Sequence, residues 1–211
     1  MTAWTVAEEL LVLAGESDLA DASRMLNLPT VTSQEQIEVV RDWWRGGAET
    51  YCMIFALHPR DEPPTEYILK SFVPTPGTYS VAEALTTTLE RQHHLATLGA
   101  KVPQCYGAAR GTALVEYIEH NLEEFLSSET TPEDTCQSLC SAATHLARIV
   151  TLAGYKPIDF VRDLRTDGED VFLIDFGWDL GPPGVTQADD CRLAHAVAAW
   201  CSKVLARRMQ R

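Results

Sequence analysis

The stretch from Glu35 to Phe72 constrains the fold more than any other part of the chain. Three runs rich in β-branched and aromatic residues, EQIEVVRDWW, ETYCMIFAL and TEYILKSFV, follow one another there. They are separated by Arg45-Gly46-Gly47 and by the proline-rich segment from His58 to Pro64. Runs of this composition bounded by Gly and Pro are strand signals, and the first break is short enough for a hairpin. Three antiparallel strands are therefore expected, and the rest of the chain has to cover a sheet.

Upstream, Val6, Leu10 and Leu13, then Leu19 and Met25, recur at helical spacing. The pattern breaks at Gly15-Glu16-Ser17-Asp18, where Ser17 or Asp18 can cap a second short helix. Downstream, Ser80 and Glu83 stand in capping-box register at the head of SVAEALTTTLERQHHLATLGA, and Gly99 stands in the stop position. Two short strand-like runs follow, VPQCYGAAR and TALVEYIEH, split by Gly111. Helical patterning returns from Asn121 to Ser127 and from Pro132 to about Ala153, with Gly154 as its end. Asp167-Gly168, between VRDLRT and DVFLID, is a hairpin signal, and a last helix is expected from about Gln187 to Arg208. A strand-rich part followed by a helix-rich part makes the fold class α+β. The expected segments are a helical extension over 1–34, a sheet lobe over 35–118 and a helical lobe over 119–211.

Composition narrows the function. With 45% hydrophobic residues the chain has enough apolar side chain for a core, which excludes wholesale disorder. Seventeen Lys and Arg against 30 Asp and Glu give a net charge of −13, which argues against nucleic acid as a partner and suits a cationic one. No run approaches the roughly 18 apolar residues of a membrane helix. Glu8 and Glu9 stand where a secretory leader would carry basic residues, so a cytoplasmic protein without a membrane partner is expected. The six cysteines contain no Cys-x-x-Cys pair and read as reduced, mostly buried thiols. Cys191 with His195, and Cys136 and Cys140 with His145, have metal-compatible spacing but lack further ligands.

Four features fall in one order. Lys70 lies on the third strand within ILKSF, Glu90 on the next helix, LVEYIEHNL runs from an apolar strand into a polar connector, and LIDFG puts Asp175 at a hairpin exit. This order resembles the protein-kinase-like fold, in its aminoglycoside phosphotransferase and choline kinase branch. LERQHHLATLGAKVPQCYGA resembles that branch's helix, Gly and Val-Pro stretch, ALVEYIEHNL its hinge, and VFLIDFGWDLG its metal-binding turn.

The resemblance implies a bilobal fold, with an antiparallel sheet lobe carrying one helix and a mainly helical lobe carrying a small catalytic hairpin. It implies ATP and Mg²⁺ as cofactors. Lys70 would contact the nucleotide phosphates and be fixed by Glu90, and backbone groups of Glu116, Tyr117 and Ile118 would meet the adenine edge. Gly46 and Gly47 would form the phosphate loop, and Asp175 would hold the metal.

The family's catalytic loop carries His-x-Asp and, five residues on, an Asn. Tyr155 to Asp163 holds neither His nor Asn. Asp159 is the counterpart of the catalytic aspartate, Asp163 can replace the Asn as a metal ligand, and Arg162 is a candidate stabiliser of the transferred group. The implied activity is phosphoryl transfer to a hydroxyl of a small molecule, or of a Ser or Thr in a peptide, as in modified-peptide or natural-product biosynthesis. The short remainder after Asp175 and the negative charge suit an open site for a cationic or peptide acceptor. The alternatives are a pseudokinase that binds and regulates without turnover, and an unrelated α+β interaction protein.

Overall fold

A computed structural model describes residues 3–46, 49–73, 80–177, 180–181, 184 and 191–210. The fold is α+β and forms two compact units, Met1–Thr86 with Gln104–Tyr117, and Thr87–Pro103 with Ile118–Arg211.

The first unit is built on a five-stranded antiparallel sheet. Its strands are β1 (Ile37–Arg45), β2 (Thr50–Leu57), β3 (Thr65–Phe72), β4 (Cys105–Ala109) and β5 (Thr112–Glu116), in the order β1-β2-β3-β5-β4. Alternation of side chains gives the sheet two faces. One face presents Met53, Phe55, Leu57, Tyr67, Leu69 and Leu114 to the two N-terminal helices, α1 (Ala3–Ala14) and α2 (Leu19–Met25). Val6 and Leu10 of α1 and Leu26, the C-cap of α2, join the same core. Asp18 caps α2, its carboxylate accepting the amides of Ala20 and Asp21.

The other face carries Ile68, Phe72, Ala113 and Val115. It packs against Val81, Ala84 and Leu85 of α3 (Val81–Thr97). Glu35 and Gln36, read above as strand, lie instead in a single 3₁₀ turn ahead of β1. Bulges between Val39 and Arg41 and between Arg41 and Trp44 break the alternation of β1. Trp43 packs on the helix-covered core, and Trp44 carries the Arg41 guanidinium 4.1 Å from its ring centroid.

The capping box of α3 forms as its sequence predicts. The Glu83 carboxylate accepts the Ser80 amide at 2.9 Å and hydroxyl at 3.0 Å, while the Ser80 hydroxyl accepts the Glu83 amide at 3.3 Å. The hydrogen bonds from Ser80 hold the Glu83 pKa below the ordinary carboxylate value of 4.5. A depressed folded-state pKa means a contribution that is complete above the unfolded value and lost as pH falls through the folded one. Glu83→Gln is therefore expected to lose less stability than the wild type between about pH 5 and about pH 3. Parallel thermal melts check this, and identical pH profiles would refute it.

The second unit is mainly helical. It contains the rest of α3, α4 (Leu122–Ser127), α5 (Glu133–Leu152) and α6 (Arg192–Arg208). The expected start of α6 at 187–190 lies outside the described residues. Leu122, Leu126, Leu139, Leu146, Val150 and Val197 are among the buried residues of its core. Asn121 caps α4 by accepting the amides of Glu123 and Glu124.

A small antiparallel sheet, ordered β6-β7-β8, completes the unit: β6 (His120–Asn121), β7 (Leu164–Thr166) and β8 (Val171–Leu173). At Gly154, which ends α5 with φ +86°, an added Cβ would lie 2.6 Å from the Gly184 carbonyl oxygen. The Gly184 amide donates to the Gly154 carbonyl at 2.8 Å. Among the described residues, no helix is long and apolar enough to cross a membrane.

Candidate functional site

In the first unit, Lys70 lies on β3, the central strand of the sheet, paired with Cys52 on β2 and with Ala113 on β5. It is half-buried between Ile68 and Phe72, so it stands on the face that packs against the start of α3. The Cys105 thiol is pushed up by burial, against which the Gly107 backbone and the Lys70 charge act.

Gly46 lies at the end of the β1–β2 hairpin, its amide donating to the Thr50 carbonyl at 2.9 Å. A Cβ at position 46 would crowd the sulfur of Cys52, the cross-strand neighbour of Lys70, so glycine fits there without that side chain having to shift. Gly47 lies outside the described residues. At the expected hinge, Glu116 donates its amide to the Gln104 carbonyl at 2.8 Å and accepts the Gln104 amide on Oε2 at 2.9 Å. These bonds close the β4–β5 pair and use the Glu116 amide within the sheet, so that amide is not a donor for an adenine edge. Tyr117 is half-buried at the last position of the first unit.

Ile118, in the second unit, is buried. There the β7–β8 hairpin delivers two of the candidate carboxylates. A 3₁₀ turn, Phe160–Asp163, leads into β7, and the Asp163 carbonyl accepts the Ile174 amide at 3.1 Å, extending the Leu164–Leu173 pairing by one step. Asp163 thus stands opposite Ile174, next in the chain to Asp175. Both aspartates are half-buried.

The Asp175 carboxylate turns forward to accept the Gly177 amide on Oδ1 at 3.0 Å. Asp159, at the head of the 3₁₀ turn, is exposed and makes no capping hydrogen bond with its side chain. The Arg162 side chain is exposed, and its carbonyl accepts from Arg165 Nη1 at 3.3 Å. The hairpin that Asp167-Gly168 signals closes on a four-residue loop. It spans Asp167 to Asp170, because Asp167 Oδ1 accepts the amides of Glu169 and Asp170 and the Thr166 hydroxyl accepts that of Gly168.

Glu90 is exposed on α3. Its neighbour Arg91 is 7% exposed and donates from Nη1 to the carbonyls of Phe176, at 3.3 Å, and Gly177. Sequence reading passed over Arg91, although Ala84, Thr88, Arg91, Gln92 and Leu95 mark a buried face at helical spacing. One turn further along α3, His94 Nδ1 meets the Tyr155 hydroxyl at 3.1 Å, with the rings edge to face at 5.7 Å. Tyr155 opens the segment that leads to Asp159, and burial raises its pKa, against which the Arg91 charge acts. Leu173 donates its amide to the Lys101 carbonyl, and Lys101 Nζ reaches Asp170 at 2.8 Å, so the segment after α3 also braces the hairpin.

Among the described residues there is no group of three or more His, Cys, Asp and Glu side chains able to hold a metal ion. The spacings of Cys136, Cys140 and His145 and of Cys191 and His195 therefore do not build one. Cys136 is buried and accepts from Arg208 Nη1, while Cys140 and Cys201 share a hydrogen bond between thiols. An open hollow of about 620 Å³ along α4 is lined by Asn121, Glu123, Glu124, Ser127 and Ser128 and includes none of the candidate residues. No known protein family or curated protein matches the chain in sequence.

Proposed function

We propose that the chain is an ATP- and Mg²⁺-dependent phosphotransferase of kinase-like fold, resembling the aminoglycoside phosphotransferase and choline kinase branch. Its acceptor would be a hydroxyl of a small molecule or of a Ser or Thr in a peptide. The observation that carries the reading is the corner at the end of the β7–β8 hairpin, where the Asp163–Ile174 backbone bond sets one aspartate beside the segment bearing the other. Mg²⁺ in phosphoryl-transfer sites takes one or two carboxylates and completes its shell with phosphate oxygens and water, which is the donor set that Asp163 and Asp175 offer. Bound there with a nucleotide, Mg²⁺ would neutralise charge on the phosphate oxygens.

The chain's own residues take the remaining roles. Lys70, held in the centre of a five-stranded sheet with one helix between its third and fourth strands, would grip the phosphates, and Glu90 is the carboxylate proposed to fix it. Gly46 would bring backbone close to those phosphates. Asp159, whose carboxylate is exposed and not used for capping, would orient and deprotonate the acceptor hydroxyl, with Arg162 nearby in sequence as a charge for the transferred group.

A ligand that binds only the folded state at a hundred times its dissociation constant adds about 2.7 kcal/mol of apparent stability. Millimolar ATP with Mg²⁺ is therefore expected to raise the melting temperature of the wild type, and Lys70→Met to lose most of that rise. A wild type that shows no rise would sink the reading. The missing His and Asn of the segment before Asp163 favour the second reading, a pseudokinase. Nucleotide binding without transfer to any hydroxyl or peptide acceptor would select it.

A further inference from the structure

Arg91 is a buried cation that none of the roles above uses. Its guanidinium reaches across 85 residues of sequence to the Phe176 carbonyl, and to the carbonyl of Gly177 as well. The Phe176 carbonyl belongs to the same peptide unit as the Gly177 amide, and that amide is the donor to Asp175 Oδ1. A peptide unit is planar, with its C=O and N–H pointing to opposite sides. Gripping its oxygen therefore fixes the direction of its N–H. Residues Arg91, Phe176, Gly177 and Asp175 form a chain in which a positive charge acts on one edge of a peptide and a carboxylate accepts from the other.

We propose that Arg91 is a positioning residue for Asp175, an inference that rests on the phosphotransferase reading. Two physical effects support it. Hydrogen bonds in series polarise one another, so the guanidinium strengthens the Gly177 amide as a donor. Glycine at position 177 also gives the peptide unit access to a flipped orientation at little cost, and the guanidinium opposes that flip because it would turn the Phe176 oxygen away. With Oδ1 held, Asp175 presents Oδ2 in a fixed direction. Groups that orient a metal ligand in this way typically change metal affinity by roughly 10–100-fold when removed.

The experiment uses the full chain as wild type, Arg91→Met and Arg91→Lys. Without metal or nucleotide, amide hydrogen exchange at Gly177 is expected to be on the order of tenfold faster in Arg91→Met. Arg91→Lys, which keeps the charge but not the fork, should fall between the two. With ATP present, Mn²⁺ affinity read by electron paramagnetic resonance should weaken by roughly 10–100-fold in Arg91→Met. Affinity for ATP without metal should stay unchanged, which a general loss of packing would not produce.

Wild-type Gly177 exchange in a folded Arg91→Met protein overturns the proposal, whatever the metal does. If Arg91→Met does not fold, Arg91→Lys decides: wild-type exchange and wild-type Mn²⁺ affinity together overturn it. A wild type that binds no Mn²⁺ with ATP refutes the phosphotransferase reading, and the metal-free exchange at Gly177 still decides whether Arg91 orients the turn.

Discussion

If the chain is the phosphotransferase proposed, Asp175→Asn is expected to lower phosphoryl transfer by roughly a thousandfold, which corresponds to about 4 kcal/mol of lost transition-state stabilisation. The size follows from what the substitution removes. An asparagine keeps an oxygen that can accept the Gly177 amide, so the turn made by Asp175 Oδ1 survives. Only the negative charge and one ligand oxygen disappear. Asp163→Asn is the informative contrast, because the resembled family carries a neutral oxygen ligand at the corresponding role; its loss should stay within roughly tenfold. Single-turnover transfer, with circular dichroism as the control for folding, measures both. A folded Asp175→Asn protein with more than a tenth of wild-type activity would remove Asp175 from its role.

The largest effect on stability is expected at Phe55. It is fully buried in the helix-covered face of the sheet and stacks on Tyr67 with ring centroids 5.7 Å apart. Tyr67 in turn meets Tyr106 edge to face at 5.3 Å, and burial pushes the Tyr67 pKa up to about 12. Phe55→Ala removes the inner member of this row, and neither a paired strand nor the two packed tyrosines can collapse into the space. A cost of about 3–5 kcal/mol follows from the usual penalty for truncating a buried aromatic. Urea denaturation followed by tryptophan fluorescence reads it, and a loss below about 1 kcal/mol would show that the core refills.

Much of this architecture was legible in local sequence. Asp18, Ser80 with Glu83, Asn121 and Gly154 act where their chemistry places them, because caps and stops depend on neighbours a few residues away. The three strand runs and the helix after them were legible for the same reason. Legibility failed where distant partners decide. In β1 the period of two breaks at two bulges, which depend on the pairing with β2. In the β7–β8 loop the Asp-Gly signal marks the reversal, while the loop's length depends on Asp167 and Thr166 capturing the amides of Gly168, Glu169 and Asp170. At Arg91 the failure has another cause. A helical pattern is read by following apolar residues, so a charged residue in the buried stripe is assigned to solvent unless its partner is known. That partner, the Phe176–Gly177 peptide, is brought to it only by folding.

The meeting of Gly154 and Gly184 has a bearing on how such a chain can change over time. The amide of one and the carbonyl of the other close residues 155–183 into a loop, and that loop contains Asp159, Arg162, Asp163 and Asp175. Closing a loop of this length costs on the order of 3 kcal/mol in chain entropy, a cost that grows slowly with length. Residues can therefore be gained or lost inside it with little change in that cost, while Gly154 and Gly184 stay joined. The step of four residues from Asp159 to Asp163, where the resembled family has five, lies inside this cassette. Chemistry in such a unit can be rewritten by insertion and deletion without rebuilding the helices that carry it.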